Sequence, residues 1–316
     1  MKTAIDTLLI CMSLIIMAEE SINTREDKAK LTQNESFEAR LELAERLIES
    51  NQVKQALSHL EKIIKEMKKD GNNGSLENRA KAYYMHAQAS RMKMGQNPLS
   101  WMMGKSEYIE NLKHAIELQP AYLEPYLELI GFYMEAPAVV GGSKDKALEI
   151  AYSLSPYHRK ESLEQQFRIW RSKNNMKKQL QVLEEANDLF PDDDGFLLYL
   201  GLIQVANKDF PEAKATFDKG RSLKGENLPY HQYQSGKIRI LMREDLETAI
   251  TLFDQYIQAY QPERQPTRAD ALWRKGMTYE LLDNQKEAKV CYEEALKLNA
   301  EHKQAKEALK TVSSLP

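Results

Sequence analysis

One spacing recurs along this chain and limits what it can fold into. A small residue is followed 12 or 13 positions later by a second small one, then after 4 by a bulky apolar side chain, then after 3 by a small or apolar one. It reads Gly276–Ala288–Tyr292–Ala295, Gly201–Ala213–Phe217–Gly220, Gly236–Ala249–Phe253–Tyr256 and Ala44–Ala56–Leu60–Ile63. Positions four apart share one face of a helix, so the second half of each set is a helical stripe. The longer gap is the length of one helix, a turn and entry into the next. The two small residues are expected to face each other where the helices cross, because larger side chains would push the backbones apart. The bulky residue one turn on is expected to fill the gap toward the next pair. A unit of this kind cannot bury its apolar face alone and must stack on its neighbours.

The rest of the chain fits the same period. Leu112, Ala115 and Pro120 in "YIENLKHAIELQP" match Leu183, Ala186 and Pro191 in "KKQLQVLEEANDLFP". A proline after the second helix stops it and sets the next turn. The expected units are 37–70, 76–120, 122–156, 160–193, 194–227, 229–263 and 269–302. The unit at 160–193 is degenerate, with Phe167 where a small residue belongs. Residues 303–316 read as a polar capping helix and tail, which stacked repeats need over their last apolar face. Units 76–120 and 122–156 are long. Their extra residues, "GQNPLSWMMGKS" around Trp101 and "APAVVGGSK" around Gly141–Gly142, are expected at the turn between the two helices of each pair.

The small–small–large pattern resembles the tetratricopeptide repeat, a helix–turn–helix of about 34 residues. The stretch 76–156, with its A-P-x-x-x-G-G turn, is similar to a group of exported bacterial proteins of that family. The resemblance implies an all-α, right-handed α-solenoid of about seven tetratricopeptide-like repeats across 37–302. It also implies a non-enzymatic scaffold that binds a protein or peptide partner, with export from the cytoplasm. In this repeat class the first helix of each pair lines the inner groove. Spacing on those helices gives Leu198, Leu202 and Val205, then Tyr230, Tyr233, Lys237 and Ile240, then Trp273, Met277 and Glu280 as the groove strip. Aromatic anchors on an exposed apolar surface mark interaction sites. The two-carboxylate clamp of some relatives needs Lys and Asn at groove positions that read Leu41 and Glu45 in the first unit, so that mode is not expected.

Composition agrees with a helical scaffold. There are 13 Gly and 11 Pro in 316 residues, too few for a turn-dense β fold. A net charge of -3 gives no basic excess, so no nucleic-acid partner is expected. The N-terminus carries Lys2, then an apolar run from Thr7 to Ala18 that is too short to span a bilayer, which takes roughly 20 residues. It reads as a signal peptide over 1–18, with cleavage after Ala18 and a flexible segment over 19–36. A periplasmic or secreted protein follows, the alternative being an uncleaved membrane anchor; no membrane span is expected in the mature chain. If 1–18 is removed, Cys11 goes with it and Cys291 stands alone, so no disulfide or cysteine-ligated metal is expected within one chain. Cys291 reads as a small buried residue on a helix.

Catalytic motifs are missing. Gly141-Gly142-Ser143-Lys144 has Ser before Lys, follows a helical stretch, and lacks the leading glycine of a phosphate loop. The structural reading is direct: Pro137 ends one helix, the glycines make the corner, and Ser143 caps the next helix. None of the six histidines pair at a spacing of four, so no metal or cofactor is expected. Asp192–Asp194 reads as a helix start. Two rival functions remain: an enzyme or small-ligand-binding protein using the inserts near Trp101 and Gly141–Gly142, and a structural subunit of an envelope complex.

Overall fold

The computed structural model describes residues 36–70, 74–95, 98–259 and 266–314. The expected signal peptide at 1–18 and nearly all of the segment at 19–36 lie outside the described residues. Among the described residues there are 15 α-helices and no strand. They are α1 (Phe37–Glu49), α2 (Val53–Asp70), α3 (Leu76–Met94), α4 (Pro98–Leu118), α5 (Leu123–Glu135), α6 (Lys144–Leu154), α7 (Arg159–Ser172), α8 (Met176–Leu189), α9 (Asp194–Asn207), α10 (Phe210–Leu223), α11 (Leu228–Met242), α12 (Leu246–Gln258), α13 (Arg268–Leu281), α14 (Gln285–Leu298) and α15 (Lys303–Ser313). In chain order they make seven helix–turn–helix repeats and one terminal helix, as the spacing implied. The chain divides into two compact units, 1–150 and 151–316.

The helix ends are written in the sequence. Ser36, Ser75, Asn175 and Asp193 each accept a hydrogen bond from a backbone N–H three residues on, satisfying a donor the helix cannot use. Asp193 is the N-cap expected of the Asp192–Asp194 run, accepting from Phe196 N at 2.9 Å. Thr267 and Asp270 form a reciprocal capping box on α13. After α4 the chain turns at Pro120, whose carbonyl accepts from the Tyr126 hydroxyl at 3.1 Å.

In the first unit, Leu41, Ala44 and Leu47 of α1 meet Ala56, Leu60 and Ile63 of α2, and Ala80 and Tyr83 of α3 join the same core. The second unit shows how the repeat spacing works. A Cβ on Gly201 would lie 2.5 Å from Phe217, one on Gly236 2.9 Å from Phe253, and one on Gly276 2.4 Å from Tyr292. The glycine of the first helix therefore faces the aromatic ring of its own partner helix. The ring also reaches the following helix, as the spacing implied: Phe217 packs with Ile238 of α11, and Tyr292 with Val312 of α15. Ala213, Ala249 and Ala288 are fully buried one turn before those rings. Phe167 of the degenerate repeat is buried with Leu163, Leu183 and Ala186, and its ring lies 4.8 Å from Tyr199.

The two inserts behave differently. The residues around Trp101 do not enlarge a turn. They lengthen α4, which begins at Pro98 and runs 21 residues. Proline is well suited to the first helical position, where its missing N–H is not needed. The residues after α5 do form a turn. Pro137 precedes a single 3-10 turn, Ala138–Val140, and Gly141 follows at φ 110°. A Cβ on Gly142 would lie 1.7 Å from the Ala136 carbonyl oxygen, so only glycine fits there. Ser143 Oγ then accepts from Lys146 N at 3.3 Å and starts α6.

Candidate functional site

The two inserts meet in the first unit. Trp101, near the start of α4, stacks on Phe132 of α5 with ring centres 5.9 Å apart and planes 19° from parallel. Tyr108, one further stretch along α4, meets both rings edge-on at 6.1 and 5.8 Å. This aromatic wall borders a cavity of about 1170 Å³ that opens between α3 and α5. Tyr84, Arg91 and Met92 of α3 line one side; Glu124, Leu127, Glu128, Gly131 and Glu135 of α5 line the other; Ala136, Pro137 and Val140 of the turn close one end. A pocket of this size, largely apolar with a few polar groups, is the usual form of a binding site.

Its polar groups are tied together. Glu128 Oε2 accepts from the Tyr108 hydroxyl at 2.9 Å and lies 3.4 Å from Arg91 Nε. Tyr84 accepts from Gln88 at 3.0 Å. Burial first, then the nearby Glu128 and Glu124 charges, push the Tyr84 hydroxyl up to about 12. Burial and Glu128 raise Tyr108 as well. Both are neutral phenols at physiological pH, able to donate but not to act as bases. Gly131 stands at the middle of the α5 wall, and a Cβ there would meet nothing within 4 Å.

The groove strip expected in the second unit is only partly a surface. Tyr233 is 5% exposed, with its ring packed on Phe253 and Tyr256 at 5.7 and 5.2 Å. Ile240 joins it in the core. Burial of Tyr233 corrects its expected exposure: its ring faces the Phe253 and Tyr256 rings of α12. Leu198, Leu202 and Val205 are partly buried against Ala213, Phe217 and Ile238. Met277 packs on the core that holds Tyr233, and Trp273 sits between α14 and α15 with the Arg274 guanidinium 4.2 Å over its ring. Tyr230 and Lys237 are half-buried. Burial, then the Arg274 charge, lowers the Lys237 ammonium.

No metal or thiol chemistry emerges among the described residues. No group of three His, Cys, Asp or Glu side chains is placed to hold an ion. Cys291 is buried, and burial pushes its thiol up to about 11. His231 is fully buried with Nε2 2.9 Å from the Asp194 carbonyl, and His86 is buried with Nδ1 2.8 Å from Asn111 Nδ2. No described helix is long and apolar enough to cross a membrane. The sequence pointed to both inserts but not to their meeting. The signal was available only as an apolar-aromatic density in "WMMGKSEY" and "LIGFYMEAP", which any core would also show.

The repeat assignment has independent support. Residues 269–302 match the model of the tetratricopeptide repeat. No curated protein matches the chain. Among solved structures, the chain is similar to the C-terminal part of a tetratricopeptide-repeat protein from Cytophaga hutchinsonii, at 14% identity and a TM-score of 0.57, covering 85% of this chain and 99% of that one. It is similar to YrrB, described as a tetratricopeptide-repeat protein with an unusual peptide-binding site, at 19% identity and a TM-score of 0.51, covering 64% of this chain and 99% of that one. Identities this low speak for the fold alone. The chain thus carries a tetratricopeptide repeat at 269–302 and has the fold of tetratricopeptide-repeat proteins.

Proposed function

We propose that the protein is a non-enzymatic scaffold of the bacterial cell envelope, and that it holds a peptide segment of its partner in the pocket between α3 and α5. The observation that carries this reading is the cavity itself: about 1170 Å³, walled by Trp101, Tyr108 and Phe132 and left open at Gly131. Tyr and Trp are the side chains that most often anchor partners. The rival use of the two inserts by an enzyme is less favoured, because Tyr84 and Tyr108 are neutral phenols and Glu128 is held by Tyr108 and Arg91. The second-unit strip, with Leu198, Leu202, Tyr230, Lys237, Trp273 and Met277, is a secondary contact surface in this reading. The relation to YrrB, whose description includes a peptide-binding site, is consistent with it.

The test uses Gly131→Phe. The new ring enters open space, so the fold should survive, as circular dichroism would check. Affinity capture from an envelope extract should then lose the partner that wild type retains. Identical partners for both proteins would remove the pocket from the account. Export is tested separately by fusing residues 1–30 to a periplasm-dependent reporter; a cytoplasmic readout would end the envelope assignment.

A further inference from the structure

The first helices of the last three repeats, α9, α11 and α13, contact one another in turn. Two of their cations are paired with acids on the second helices. Arg239 of α11 lies 2.8 Å from Asp218, and Lys275 of α13 lies 2.6 Å from Asp254. Two others meet each other instead. Arg274 of α13 acts on the Tyr233 hydroxyl by charge and hydrogen bond, and Lys237 stands one helical turn beyond Tyr233 on α11. Burial, then the Arg274 charge, lowers the Lys237 ammonium, and no carboxylate among the described residues offsets them. The Arg274 guanidinium lies 4.2 Å over the Trp273 ring, and its Nη1 donates to Met277 Sδ at 3.7 Å. Its Nε is buried with no hydrogen-bond partner among the described residues. An indole face, a phenol and a thioether do not neutralise a cation. Like charges held together in half-buried surroundings destabilise each other, and an anion between them reverses the sign of that term. Apolar groups continue past the pair in both directions. Leu198 and Leu202 of α9 pack toward Ile238, the residue after Lys237, and Met277 of α13 packs on the core that holds Tyr233.

Resting on the second-unit strip as a contact surface, we infer that Lys237 and Arg274 hold one acidic side chain, Asp or Glu, from the interior of a partner segment whose flanking residues are apolar. An interior side chain fits better than a chain end, because the apolar strip runs on past the cations on both sides. Hydrogen bonds between ionised partners are the stronger kind. A basic side chain at the same place would add a third cation, which is how charge excludes wrong partners.

The experiment uses the full chain and fluorescein-labelled peptides of one length with both ends capped. Each carries Leu and Phe on either side of one central residue, which is Glu, Gln or Lys. A fourth repeats the Gln peptide with a free C-terminal carboxylate. Fluorescence anisotropy at low salt should show the Glu peptide bound about tenfold more tightly than the capped Gln peptide, the scale of two partly screened ion pairs. The Lys peptide should bind weakest. The Glu preference should shrink in about 0.5 M salt, where screening is nearly complete over a few ångströms. In a Lys237→Gln/Arg274→Gln variant the Glu and Gln peptides should bind within about twofold of each other. Because Arg274 also stacks on Trp273, Lys237→Gln alone is the second variant, with the preference expected to fall to about threefold. In Gly131→Phe, which fills the pocket between α3 and α5, the Glu preference should be unchanged. A capped Gln peptide that binds as tightly as Glu overturns the inference, as does a preference that survives both charge variants or disappears in Gly131→Phe. A free-ended Gln peptide that matches Glu overturns the interior assignment. In any of these cases, weaker binding of all four peptides to Leu202→Gln keeps the strip as a contact surface. Binding that ignores Leu202→Gln, or no binding at all, removes the strip together with the inference.

Discussion

Glycine has two opposite roles in these helices, and the surroundings of its missing Cβ decide which. At Gly276 a Cβ would press on Tyr292, a ring that is fully buried and whose hydroxyl is held by Glu280. Such a ring cannot move aside, so Gly276→Ala should destabilise the protein by about 1–3 kcal/mol. At Gly131 nothing stands in the way, and Gly131→Ala should stabilise it by about 0.5–1 kcal/mol. Urea unfolding of the full chain reads both, and shifts of the same sign would contradict the packing described. The buried histidines supply a pH dependence. Burial lowers the His231 imidazole below its ordinary value of about 6.5, and the hydrogen bond and charge of Asp194 oppose this only in part. Burial lowers His86 too. A depressed folded value means the unfolded chain takes up protons first. Stability from these groups is therefore complete above about 6.5 and is lost as pH falls below it. The urea midpoint should drop between about pH 7.5 and 5.5, and His231→Gln should reduce the slope. A flat midpoint would count against neutral buried histidines.

At the scale of elements, the caps, the turn after α5 and the pairing of helices were legible in the sequence. Each depends on residues close together: Asp193 caps the helix it precedes, and Gly142 is required by Ala136 six residues back. The length of α4 was not legible. "GQNPLSWMMGKS" contains Pro and Gly, which suggests a loop, yet Pro98 sits where a helix tolerates it and Gly104 lies inside the helix against Met94. Tertiary packing of Trp101 on Phe132 outweighs the local preference. Some helix ends use residues other than glycine in the left-handed region, among them Lys208 at φ 69°. Such a residue gives up about 1 kcal/mol or more relative to glycine. Lys208→Gly should raise stability by about 0.5–1 kcal/mol, measured by thermal unfolding, because part of that gain returns as chain entropy in the unfolded state. A lower unfolding temperature would show that the Lys208 side chain contributes something its exposed position hides.

For the whole molecule, the repeat was readable because the same spacing is enforced in pair after pair, while the pocket was not. Trp101 and Phe132 stand 31 positions apart in different repeats, and no periodic rule brings them together. The groove strip failed at Tyr233 for a related reason. One residue of register turns a helical side chain by about 100°, enough to carry a ring from surface to core. The match to the tetratricopeptide model at 269–302 also fits the packing, since that pair keeps the full Gly–Ala–Tyr–Ala set whereas Phe167 breaks it in the fourth. Terminal helix α15 has a wider consequence. Ala305 and Val312 close over Ala295, Ala288 and Tyr292, while Lys303, Lys306, Glu307 and Lys310 face outward. A stack of similar repeats has no intrinsic last member, so the end face of α13 and α14 is a template for another chain. Without 303–316, that face would meet the matching side of a second copy head to tail, a contact that repeats without closing. Truncation after His302 should therefore yield particles that lengthen with concentration, seen by electron microscopy, where the full chain yields none. On this view α15 acts as a stopper: eleven residues that cover the apolar face of α13 and α14 against head-to-tail growth.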